Sequence, residues 1–167
     1  MSLRTIELLG AIGLFFTVGC SGPPESSNAP LGSARIRILD ADQASRRFVL
    51  YVRGATGEWF HGGGKEAFAG DAPRPMEMRP HDRETIAELM SAAGWIDGTM
   101  EIGVGTGPRH LEVSLSGGIP NTSFSLLASE GRFDPETEAL LAALQSVVER
   151  EYRGVLDALP QASPSQP

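Results

Sequence analysis

Residues 35–53 read RIRILDADQASRRFVLYVR, and the fold turns on how this stretch is read. Ile36 and Ile38 alternate with arginines, and Phe48, Leu50 and Val52 form a second alternating set. A period of two sends successive side chains to opposite faces of a strand, so each set marks a half-buried strand. The polar link Asp40-Ala41-Asp42-Gln43 turns the chain back between them. Three more alternating sets follow: Met100, Ile102 and Val104; Leu111, Val113 and Leu115; Phe124 and Leu126. Their links, GTGPR at 105–109 and GGIPNT at 117–122, carry the residues of hairpin turns, and an antiparallel meander is expected.

Two stretches change to helical spacing. Ile86, Leu89, Met90 and Ala93 recur at i, i+3, i+4 and i+7, which predicts a helix over 82–93 with Asp82 as its cap. Gly94 supplies a left-handed stop, and Trp95 is placed to fold back on Met90. The second helix opens at Asp134-Pro135-Glu136, a capping carboxylate before a proline at the first helical position. Leu140, Leu141, Leu144, Val147, Val148 and Tyr152 share one face, which Val155, Leu156 and Leu159 extend past Gly154. Acidic residues near the start and arginines near the end suit its dipole. The order strand, strand, helix, three strands, helix predicts an α+β domain. It comprises a mostly antiparallel sheet of about five strands with two helices packed on one face and the other face wet.

That domain is bounded at about 35–159. Before it, SGPPESSNAPLGSA at 21–34 reads as a flexible tether, and the Pro- and Ser-rich residues 160–167 read as a disordered tail. The whole chain has 167 residues, the length of one domain. Its formal charge is -7, and its 14 basic residues form no stripe, which argues against nucleic acid as a partner.

The first residues carry the most specific signal. Arg4 precedes the apolar run LLGAIGLFFTV at 8–18, which ends at Gly19-Cys20. A basic start, a short apolar core and a small residue before the break make residues 1–19 a signal peptide. The run is shorter than the roughly 18 apolar residues of a spanning helix. Thr17-Val18-Gly19-Cys20 resembles the lipobox of bacterial lipoproteins, although Thr17 stands where that class usually has leucine. The resemblance implies that Cys20, the single cysteine of the chain, is diacylated and becomes the first residue of the mature protein. It further implies a lipid-anchored protein of the cell envelope, palmitate-bearing, with Ser21 resembling the residue of lipoproteins sent to the outer membrane. A disulfide within the chain is excluded by the cysteine count.

Residues 61–65, HGGGK, look like two catalytic loops and fail the context of both. An oxyanion loop needs a serine on a Gly-x-Ser-x-Gly elbow, and the nearest cluster, Ser114-Leu115-Ser116-Gly117-Gly118, lacks the first glycine. A phosphate loop needs glycine at 59 and a hydroxyl at 66, where Trp59 and Glu66 stand. The glycines are expected to serve a turn. Three dispersed histidines, His61, His81 and His110, lack zinc-ligand spacing. No cofactor, metal or catalytic residue is assigned. The segment from Glu58 to Phe68 is expected to be part of a long irregular connection. Its aromatics Trp59, Phe60 and Phe68 either plug the sheet or meet an envelope protein or glycan.

The order and spacing of elements over roughly 35–158 look similar to small exported α+β domains of bacteria, including the emfourin type that blocks metalloproteases. That likeness lies in layout, and no inhibitory residue is carried over from it. The expected function is a lipid-anchored, non-catalytic binding or assembly role at the envelope. The alternatives are an envelope hydrolase or a protease-inhibitor-like domain.

Overall fold

The computed structural model describes residues 31–100, 107–119 and 121–158. They form an α+β domain around one antiparallel sheet of six strands, with three helices. In chain order these are β1 (Arg35–Asp42), β2 (Arg47–Arg53), β3 (Trp59–Gly63), α1 (Lys65–Ala69) and β4 (Arg74–Met76). Then follow α2 (Pro80–Ala92), β5 (Arg109–Ser116), β6 (Thr122–Leu127) and α3 (Pro135–Ala158). The sheet order is β4-β3-β2-β1-β5-β6. The opening hairpin therefore sits at its centre, and β5 returns after α2 to pair with the free side of β1.

The register assigns the faces. Ile36, Ile38 and Asp40 of β1 lie beside Arg53, Tyr51 and Val49 of β2 and beside Leu115, Val113 and Leu111 of β5. These residues, continued by Trp59, Met76, Phe124 and Leu126, face the layer of α2 and α3 and form the core with Ile86, Met90, Trp95, Leu140, Leu144 and Val147. Phe48, Leu50 and Val52 belong to the opposite face. The alternating set of β2 is thus correctly grouped by its period but points away from the two long helices. Val49 and Tyr51 take the inner positions, so residues 48–52 are apolar on both sides, the mark of a strand covered on both faces.

What covers the second face is α1, which packs on β2 and β3 and buries Ala67 and Leu50 almost completely. The expectation of two helices on one face and an open opposite face is corrected accordingly. Over β2 and β3 the second face is roofed, and over β5 and β6 it presents Glu112, Ser114, Ser123 and Ser125 to solvent. The strand expected at Met100, Ile102 and Val104 falls mostly on residues 101–106, outside the described residues, and Met100 itself is not in a strand.

Both long helices begin for local reasons, and α2 ends for one. At α2 the start lies two residues earlier than expected, because Pro80 fits the first helical position. Asp82 is the third helical residue, and its carboxylate accepts the Arg79 N–H at 2.8 Å. The far end is a Schellman closure: Gly94 (φ 71) donates to the Ser91 carbonyl and Trp95 to the Met90 carbonyl, at 2.9 and 3.0 Å. At α3, Asp134 Oδ1 accepts the Thr137 N–H at 2.8 Å, as a capping aspartate should. The helix runs through Gly154, but Tyr152 and Val155, expected on its buried stripe, are exposed. Arg150 of α3 grips Asp82 of α2 at 2.6 and 3.2 Å and locks the two helices together.

At the other end of the chain, the residues read as tether end in packed structure. Leu31 and Ala34 are buried, and the Arg53 guanidinium donates to the carbonyls of Gly32 (2.9 Å) and Ala34. Packed structure therefore already includes Leu31, four residues before the expected boundary.

Candidate functional site

The segment expected to be an irregular loop is β3 followed by α1, and its glycines explain why. Gly62 lies in the strand where a Cβ would stand 2.0 Å from the Asp71 carbonyl oxygen, so only glycine lets the returning chain pass this close. Gly64, at φ 56, turns the chain out of the strand and into α1. The triple glycine thus combines a close backbone crossing with a turn, and no catalytic loop is formed.

Alternation along β3 then separates the aromatics that the sequence grouped together. Trp59 points to the long helices and is 2% exposed. That places it as a core plug and withdraws it as a contact residue. Phe60 points the other way and is half-buried. Phe68, one position past the buried Ala67 on α1, is 74% exposed. Its ring meets Phe48 edge-on, with centroids 5.2 Å apart and planes at 71°.

These two rings, with Gly64, Lys65 and Arg46, line an open cleft of about 360 Å³. Lys65 and Phe68 are three residues apart and share a face of α1. Arg46 is delivered by the β1–β2 turn, which Asp42 organises by accepting the Ala44 N–H (3.0 Å), the Ser45 N–H (3.3 Å) and the Ser45 hydroxyl (2.7 Å). The Ser45 hydroxyl bond is the main reason the Asp42 carboxyl titrates below its ordinary range. Arg46 follows at φ 54. Nearby arginines are neutralised: Arg37 by Glu112, Arg47 by Asp40 and Arg74 by Glu66. Among the described residues Arg46 and Lys65 have no carboxylate within 4.0 Å. The arrangement is an aromatic cleft with two uncompensated cations at its rim, on a chain whose net charge is -7. Chemically it can hold an apolar group attached to an anionic one.

Other polar clusters are internally satisfied. Arg109 makes a two-pronged contact with Asp40 at 3.0 and 3.0 Å, donates to Glu138 at 2.8 Å and lies 4.7 Å over the Phe133 ring. Glu138 also accepts the Phe133 N–H at 2.9 Å. This cluster ties β1, β5 and α3 together. On the open half of the second face His110, Glu112 and Ser114 alternate along β5, with His110 3.8 Å from Glu112, while Ser114 bonds Ser123 at 3.2 Å. Among the described residues no group of three His, Cys, Asp or Glu side chains is placed to hold a metal ion, and no helix is long and apolar enough to cross a membrane. Cys20 lies outside the described residues.

His61, the first residue of the HGGGK stretch, faces the long helices at 5% exposure, edge-on to Tyr152 at 6.2 Å. Burial, aided by the Arg74 charge, holds its pKa below the ordinary 6.5. A histidine harder to protonate when folded leaves the unfolded chain holding more protons below that value, so stability is full above about pH 6.5 and declines as pH falls. Melting temperature is expected to drop between pH 7 and 5.5, and His61→Phe to flatten that drop. An unchanged slope in the variant would remove His61 as its source.

Sequence reasoning found Phe68 but missed Phe48, Arg46 and Lys65 as its companions. The signal available was the unbroken apolar run 48–52, which demanded a cover for the second face. No family model, curated protein or solved structure matches the chain.

Proposed function

We propose that this protein is a lipid-tethered, non-catalytic binding module of the bacterial cell envelope, held to the membrane through Cys20. Its contact surface is the cleft between Phe48 and Phe68. The observation that carries the reading is the cleft itself: two cations that no carboxylate reaches flank Phe68, the most exposed large apolar side chain among the described residues.

The tether follows from the sequence. Residues 21–30 separate Cys20 from Leu31, which is buried in the domain. Two acyl chains on Cys20 make anchoring stable where one gives only marginal binding. Mass spectrometry of the protein recovered from bacterial membranes is expected to show a mature N-terminus at Cys20 carrying a diacylglycerol thioether. An intact residue 1, or a free thiol at Cys20, would sink the tether.

A further inference from the structure

We propose that the cleft formed by Phe48 and Phe68, with Arg46 and Lys65 at its rim, docks on the anionic surface of a lipid bilayer. Phe68 enters the boundary between headgroups and acyl chains, and the two cations lie among the phosphates. This rests on the reading of the chain as a membrane-tethered module and names what its contact surface touches.

Charge complementarity is the first argument. A chain of net charge -7 is repelled by an anionic membrane as a whole, so a stable approach needs a local exception. The cleft is such an exception: its charged residues are Arg46 and Lys65, neither in an ion pair, and the carboxylates close to them in sequence are engaged elsewhere, Asp42 with its own turn and Glu66 with Arg74. An exposed aromatic flanked by basic side chains is the composition of interfacial anchors, in which the ring takes the apolar side of the boundary and the cations the phosphate side. Each basic residue near an anionic leaflet adds about 1 kcal/mol, or roughly fivefold in partitioning.

Reach is the second argument. Leu31 lies at the Arg53 end of β2, while the cleft lies at its Phe48 end, five residues or about 17 Å away along the strand. The eleven steps from Cys20 to Leu31 span at most roughly 36–40 Å when extended. A chain anchored at Cys20 can therefore lay the cleft on the same bilayer, and tethering raises the effective concentration of that weak contact.

The test uses the full chain in vesicles. Phe68→Trp adds an indole at the proposed depth, while Trp59 and Trp95 are buried and supply a constant background. Ser146→Trp, on the exposed side of α3, is the control. In vesicles of 7:3 phosphatidylcholine and phosphatidylglycerol doped with brominated phosphatidylcholine, the indole at 68 is expected to shift to the blue and be quenched, and the one at 146 to stay in water. The double change Arg46→Glu with Lys65→Glu is expected to weaken that quenching more than tenfold without moving the melt, because both side chains are exposed and unpaired. Quenching that ignores phosphatidylglycerol content, or an indole at 68 that stays in water, overturns the proposal. So does protection of position 68 by envelope proteins but not by vesicles, which would assign the cleft to a protein. The state of Cys20 is read separately by mass: a lipidated Cys20 with an unquenched indole leaves the tether standing and removes only the docking.

Discussion

Trp59→Ala is expected to cost about 3–5 kcal/mol of folding stability, the range for truncating a buried aromatic whose surroundings cannot collapse into the space. Trp59 is 2% exposed and lies between Arg53 and Met76 in the sheet, facing the layer of α2 and α3. For a domain of this size the loss corresponds to a fall in melting temperature of roughly 10–20 °C. Phe68→Ala, nine residues on, should change stability by no more than about 0.5 kcal/mol, as at other exposed positions. Thermal melts of the two variants beside the parent make the comparison. A Trp59 variant melting within a degree or two of the parent would mean that the ring is not part of the core.

Arg109→Met should be comparably damaging for a different reason. It leaves Asp40, whose side chain is 4% exposed, without its two-pronged partner, and removing one member of a buried pair costs about 3–5 kcal/mol through the stranded charge. Arg47, 3.6 Å away but half in solvent, offsets part of that loss. Changing both partners, Asp40→Leu with Arg109→Met, should recover most of it, because the desolvation penalty leaves with the charges. Chemical denaturation of the two singles and the double decides the matter. A double variant as unstable as the worse single would show that the arginine acts by its bulk over Phe133 more than by its charge.

These two sites also show how differently the chain advertises its structure. The cap at Asp134-Pro135, the stop at Gly94 with Trp95, and the period of β1, β5 and β6 were all legible, because each is written within a few neighbouring residues and obeys local sterics and hydrogen bonding. The α+β class followed from their order, and Cys20 was singled out by a local pattern alone. β4 was invisible: three residues, one of them Pro75, carry no periodicity to read. The helix α1 is too short to show a face of its own.

What the sequence by itself determined, then, is which residues alternate, where α3 starts and α2 stops, and that the one cysteine follows an apolar run. Only the tertiary structure decided which face of β2 meets the long helices, that Trp59 turns inward while Phe68 stays in water, and that Asp40 finds Arg109 across 69 positions. Periodicity groups residues by side without saying which side is inside. That choice belongs to pairing between distant strands, where a shift of one residue would exchange the two faces of the whole sheet.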